Sequence, residues 1–108
     1  TLKLGNISIV RDWGLANDYV HAAQKIIRNP KLEDYTICTG KSVSLEYFIN
    51  NVFKKLNLKW QSHVEIDENL FRKNEIKKSY GDPIPLLNET GWKAKHNIDD
   101  LIDELLKD

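Results

Sequence analysis

The chain contains no methionine, a single cysteine, five glycines and three prolines, and its sixteen basic residues are cancelled by sixteen acidic ones. Each shortage removes a class of protein. One cysteine cannot form an internal disulfide, and Cys38, inside the run Tyr35-Thr36-Ile37-Cys38, reads as a small core residue in a cytoplasmic chain. With zero net charge there is no global field to draw in nucleic acid or an anionic membrane, so any anion has to be held locally. No apolar stretch approaches the roughly 20 residues that span a bilayer, and the N-terminus has no basic-then-apolar signal pattern. The sequence opens at Thr1 without a methionine anywhere, and the expectation is a piece of a longer chain.

What is present suits a folded unit. Hydrophobic residues make up 41% and charged residues 30% of the 108, the balance of a globular domain rather than a disordered tail. A chain this short buries only about two-thirds of its unfolded surface, which leaves room for one core. Leu2, Leu4, Ile7 and Ile9 supply short extended runs broken at Gly5-Asn6. Tyr19, Ala22, Ala23, Ile26 and Ile27 then recur at helical spacing until Asn29-Pro30 stops them. Asp34 to Thr39 is rich in β-branched and aromatic residues and predicts a buried strand ending at Gly40.

Ser44 stands where an N-cap belongs, ahead of Leu45, Phe48, Ile49, Val52, Phe53 and Leu56 on one helical face. Val64 and Ile66 alternate with polar residues as a further strand. Gly81-Asp82-Pro83-Ile84-Pro85 predicts a turn or loop, because two close prolines remove backbone donors. Asn97 caps a last helix carrying Ile98, Leu101, Ile102, Leu105 and Leu106. The order strand, helix, strand, helix, strand, loop, helix, without repeats or linkers, predicts one α/β unit.

Recognised catalytic patterns are missing: Gly-x-Gly-x-x-Gly, a Walker-type loop, Gly-x-Ser-x-Gly and Tyr-x-x-x-Lys do not occur. His21, His63 and His96 are scattered singly and do not form the close pairs of zinc sites, so no metal is expected. Two arginine clusters carry more information. Arg11 ends an apolar strand-like segment beside Trp13, and Arg72 lies three residues before Glu75, so the two share a face if that stretch is helical. By composition and spacing alone, Arg11 pairs with Asp12 or Asp18 and Arg72 with Glu75 or Glu68 as surface ion pairs worth little, or the arginines point into a cleft.

In order along the chain, Leu4-Gly5-Asn6, Arg11-Asp12-Trp13-Gly14, Asp18-Tyr19-Val20, Asp34-Tyr35-Thr36-Ile37-Cys38-Thr39-Gly40, Ser44-Leu45-Glu46-Tyr47-Phe48, Phe71-Arg72 with Glu75, Gly81-Asp82-Pro83 and Gly91-Trp92-Lys93 resemble the GDP-mannose 4,6-dehydratases. These belong to the extended short-chain dehydrogenase/reductases, a Rossmann-type superfamily. The resemblance runs over essentially the whole chain. It implies an α/β fold: the small C-terminal lobe of such an enzyme, with a few short strands and three main helices. Residues 1–108 would be that nucleotide-sugar-binding lobe, and the N-terminal Rossmann domain, with NADP and the catalytic Thr, Glu, Tyr and Lys, would lie outside it.

The resemblance further implies that Arg11 and Arg72 grip the diphosphate or the purine edge of GDP-mannose, since a guanidinium presents a planar fork of donors. Glu75 would accept hydrogen bonds from ribose hydroxyls. No catalytic residue falls within the chain, which alone is expected to be inactive, and the parent enzyme is expected to be a homo-oligomer. Two departures stand out: Lys73 follows Arg72 where the family has proline, and Pro85 with Leu86-Leu87 predicts a different or shorter helix after Gly81-Asp82-Pro83. The rival readings are a lobe of another GDP-sugar epimerase or reductase, and a free-standing binding or assembly module without catalysis.

Overall fold

The computed structural model describes residues 1–31 and 33–107. Where the sequence suggests a single core, the chain divides into two compact units, Thr1–Arg11 with Val43–Ser79 and Asp12–Ser42 with Tyr80–Asp108. Each unit has buried apolar residues of its own, Ile49 and Val64 in the first and Ala22, Cys38, Leu86, Trp92 and Ile102 in the second.

In the first unit, β1 (Leu2–Leu4) and β4 (Val64–Ile66) pair in parallel, with Leu2 opposite Val64 and Leu4 opposite Ile66. The ladder runs past both ends, because Leu2 N–H donates to the His63 carbonyl at 2.8 Å and Asp67 N–H to that of Leu4 at 2.7 Å. Helix α2 (Leu45–Lys55) begins where the sequence predicts: Ser44 Oγ accepts the Tyr47 N–H at 3.0 Å. Two more of its first-turn donors are satisfied outside the helix, Leu45 N–H by the Ile9 carbonyl and Glu46 N–H by that of Ile7, both at 2.9 Å. Ile49 of α2 and Val64 of β4 are buried. Phe53 stacks on His63 with ring centroids 5.5 Å apart, holding the helix end against the single 3-10 turn Trp60–Ser62.

Strand β2 (Val10–Asp12) and strand β3 (Ser42–Ser44) form a second two-stranded sheet. The second unit is mainly helical. Helix α1 (Ala16–Arg28) packs Ala22 against Leu86 and Trp92, with Tyr19, Ile26, Tyr35, Ile37 and Ala94 around them. The predicted strand over Asp34 to Thr39 does not form, for residues 33–39 are extended chain without a ladder. Strand-like composition reports a surface that packs well, not a pairing partner. Cys38 is buried and Tyr35 and Ile37 pack on the core, while Thr39 and Gly40 give their N–H groups to the Asp12 carboxylate instead of to a neighbouring strand.

The Gly81–Pro85 stretch is loop only as far as Pro83. A short helix α3 (Ile84–Thr90) starts there, with Pro83 as its cap and Pro85 in its first turn, where a missing N–H costs nothing. Asp82 Oδ1 accepts the Ile84 N–H at 3.0 Å, and Gly91, at φ 77°, closes the helix in the left-handed conformation. Gly81 is needed for space, since a Cβ there would lie 2.7 Å from Cys38 Sγ. Helix α4 (Ile98–Leu105) opens with a reciprocal capping box between Asn97 and Asp100 and buries Ile102 completely. Helices α1, α2 and α4 are the three main helices the sequence predicts. No helix among the described residues is long and apolar enough to cross a membrane.

These assignments predict an order of stability effects. Leu86→Ala should cost about 2–5 kcal/mol, because the side chain is fully buried. Asn97→Ala should cost about 1 kcal/mol through the lost cap. Ile27→Ala should be nearly neutral, the side chain being 82% exposed. Urea titration of the three variants checks this, and an Ile27→Ala loss as large as that of Leu86→Ala would refute the packing.

Candidate functional site

The three residues singled out in the sequence meet in the first unit. Val10 donates its N–H to the Lys77 carbonyl at 2.7 Å and accepts the Ser79 N–H at 2.9 Å, a parallel bridge that lays residues 77–79 beside β2. Glu75 arrives next to Arg11 as a result. Arg11 Nη2 donates to Glu75 Oε1 at 3.3 Å across 64 positions of sequence, and Arg11 Nη1 donates to the Val10 carbonyl at 2.8 Å, which fixes the guanidinium plane. On the other side of the same carboxylate, Arg72 Nε lies 3.9 Å from Glu75 Oε2.

Arg72 and Glu75 are brought together by a turn at Lys73-Asn74, not by the helix that their spacing suggests. The single helical turn in this region, Glu68–Leu70, ends before them. Their exposures differ: the side chains of Arg11 and Glu75 are 27% and 21% exposed, whereas that of Arg72 is 85% exposed. Such partly wetted pairs contribute about 0–1 kcal/mol to stability. The guanidinium groups of Arg11 and Arg72 thus both stand beside the Glu75 carboxylate.

Neither of the other acidic partners weighed for Arg11 is used by it. Asp12 is spent on three donors, the Thr39 N–H at 3.1 Å, the Thr39 hydroxyl at 2.8 Å and the Gly40 N–H at 2.9 Å. Asp18, only 2% exposed, is the hub of the second unit. Its carboxylate accepts the His96 N–H at 3.1 Å and lies 2.9 Å from His96 Nδ1, while its backbone carbonyl accepts the Trp92 indole N–H at 3.1 Å. Sequence reasoning missed this hub. The sequence offers Asp18 as an ion partner of Arg11 and as part of the family-like run Asp18-Tyr19-Val20, and His96 as a singly placed histidine, with 78 positions between the two.

Two other groups are tuned by their surroundings. Burial, followed by the charges of Asp12, Cys38 and Asp18, raises the Tyr19 phenol above its ordinary pKa. Burial and then Asp12 raise the Cys38 thiol, which keeps it protonated and unreactive, in keeping with its reading as a core residue. Among the described residues no group of three His, Cys, Asp or Glu side chains is placed to hold a metal ion.

Comparison with known proteins identifies the family of the chain. The family described as GDP-mannose 4,6 dehydratase matches residues 1–105. GDP-mannose 4,6 dehydratase 1 of Arabidopsis thaliana is 38% identical over 101 residues, covering 94% of this chain and 28% of that protein. GDP-mannose 4,6 dehydratase of Dictyostelium discoideum is 31% identical over 122 residues, covering 97% of this chain and 34% of the relative. The chain thus spans about a third or less of the curated relatives it matches.

Among solved structures, RMD from Pseudomonas aeruginosa complexed with NADPH superposes with a TM-score of 0.83 at 22% identity, over 97% of this chain and 34% of that one. dTDP-glucose 4,6-dehydratase from Bacillus anthracis in complex with NAD gives 0.82 at 16% identity, over 94% and 32%. At these identities the likeness is one of fold, a mixed α/β portion of larger chains. With the family matched along nearly its whole length, the chain belongs to the GDP-mannose 4,6 dehydratase family.

Proposed function

We propose that residues 1–108 are the nucleotide-sugar-binding portion of a GDP-mannose 4,6-dehydratase, and that Arg11, Arg72 and Glu75 form its GDP-mannose contact. The observation that carries the reading is the convergence on the Glu75 carboxylate of Arg11, 64 positions away in sequence, and Arg72, three residues before it. Two planar forks facing a shared anionic position suit a diphosphate, whose oxygens accept paired N–H donors. When the diphosphate takes that position, the Glu75 carboxylate is released to accept hydrogen bonds from ribose hydroxyls. Family membership supports GDP-mannose over the substrates of other GDP-sugar epimerases and reductases.

The reaction of the parent enzyme would oxidise C4 of mannose, eliminate water across C5 and C6, and return the hydride at C6, giving GDP-4-keto-6-deoxymannose for GDP-deoxysugar synthesis. NADP would supply the hydride acceptor and donor. The residues of this chain do not fit that cofactor, because neither a Gly-x-Gly-x-x-Gly loop nor a Tyr-x-x-x-Lys pair occurs in them. No proton or hydride transfer is therefore derived from them. Their part is to bind and orient the nucleotide end, and a Rossmann domain outside this chain would carry NADP and the chemistry, within a homo-oligomer.

Two outcomes are expected. The 108-residue chain mixed with GDP-mannose and NADP should form no 4-keto product above background, and product formation by the pure chain would overturn its role as a binding portion only. In a longer protein that includes the Rossmann domain, Arg72→Lys and Arg11→Lys should each weaken GDP-mannose binding about ten- to hundredfold, the weight of a charge-assisted hydrogen bond of roughly 1.5–3 kcal/mol. Lysine keeps the charge and removes only the fork, so calorimetry showing wild-type affinity in both variants would return these residues to surface ion pairs.

A further inference from the structure

The second unit holds a cavity of about 480 Å³ against helix α1, lined by α1 side chains, the Asn29-Pro30 stop, Thr90, Trp92 and Lys95. This is within the roughly 300–1,000 Å³ typical of small-molecule sites. Its charge is unusual for a chain with no net charge. His21, Lys25 and Arg28 follow one another at intervals of four and three residues, so they share one face of α1, and Lys95 reaches the cavity from a different segment.

The position of Lys95 is built rather than accidental. Trp92 is tied to the Asp18 carbonyl through its indole N–H, and His96 is tied to the Asp18 carboxylate through its backbone N–H. Lys95 lies between these two anchors, so its Cα is held beside α1. Asp18 also lines the cavity and is the one acid among its described lining residues. Asp18 faces His96, and Glu89, next to Thr90, is paired with Lys31 at 3.3 Å. None of the ion pairs among the described residues takes up Lys25, Arg28 or Lys95.

Lys25 and Arg28 also lie in the last turn of α1, where cations complement the helix dipole. That accounts for part of their charge only. A helix end carries a partial charge of about −0.5, which two full positive charges exceed, and Lys95 belongs to no helix. The cavity floor is the buried Trp92 ring, with Asn29 and Thr90 as polar wall groups.

We propose that this cavity binds a phosphorylated small molecule, its phosphate oxygens taken by Lys25, Arg28 and Lys95. The site is separate from Arg11, Arg72 and Glu75 in residues and does not rest on the nucleotide-sugar reading. The test titrates the isotopically labelled full chain with inorganic pyrophosphate at low ionic strength and follows the backbone amides by NMR. Shifts should centre on residues 24–30 and 90–96.

The affinity should fall about tenfold or more in the double variant Lys25→Gln with Lys95→Gln, and likewise in Arg28→Gln, each retaining a dispersed spectrum. Arg72→Lys should leave these shifts in place, which separates failure here from failure of the Arg11 and Arg72 contact. Wild-type affinity in either folded cavity variant, absence of binding, or shifts confined to residues 9–12 and 71–79 would each overturn the proposal. Should the double variant lose its fold, Arg28→Gln decides.

Discussion

Everything at the candidate site hangs on the exchange of backbone hydrogen bonds between Val10 and residues 77–79. This bridge is short, one residue on the β2 side, yet it closes a loop of more than half the chain. Without it Glu75 would have no fixed relation to Arg11, and the segment from Phe71 to Ile76 would be a surface turn with an exposed arginine. The bridge is supported from behind, where the Ile7 and Ile9 carbonyls receive the first donors of α2. The residues before Arg11 are thus committed to backbone pairing, while its guanidinium is held by the Val10 carbonyl and the Glu75 carboxylate. A binding group on a strand that is pinned along its main chain loses little conformational freedom when a ligand arrives.

Asp18 plays the corresponding part in the second unit. A carboxylate at 2% exposure is costly to desolvate unless its oxygens find donors, and here both oxygens are engaged by His96. Because those donors belong to the segment after Trp92, the energetic need of one residue in α1 sets the path of a loop far along the chain. Leu86, Ala22 and Trp92 then fill the space the loop encloses. The polar hub specifies the register, and the apolar cluster supplies most of the free energy.

Legibility in the sequence followed the range of the interaction that decides each element. Helices α2 and α4 were readable because their caps, Ser44 and the Asn97 and Asp100 pair, act within three residues. The strands at Leu2–Leu4 and Val64–Ile66 were readable from alternation. The segment from Asp34 to Thr39 was misread as a strand because its composition is set by packing on Ala22 and Trp92, whereas pairing depends on a neighbour that composition does not reveal. Helix α3 was mostly hidden by its prolines, whose cost depends on whether they fall in the first turn or the interior. At the site, the two arginine clusters and the Arg72–Glu75 ion pair are legible from residue type and spacing, while the ligand roles come from family resemblance alone. The physical fact that joins them is a bridge of a kind local patterns do not report.

The balance of charge has a similar lesson. A net charge of zero excludes a global field but says nothing about separation of charge within a fold. Around Glu75 the structure places a carboxylate beside two guanidinium groups, so in the proposed contact an incoming diphosphate exchanges with a group of the protein itself. Against α1 the acids are turned to His96 and Lys31, and no ion pair among the described residues takes up Lys25, Arg28 or Lys95. These are two different ways to prepare for an anion. The first keeps the arginines ordered and costs an exchange, which favours ligands that offer the displaced carboxylate new partners. The second leaves the cations to water and salt, so its affinity is governed by ionic strength and its selectivity by the Trp92 floor.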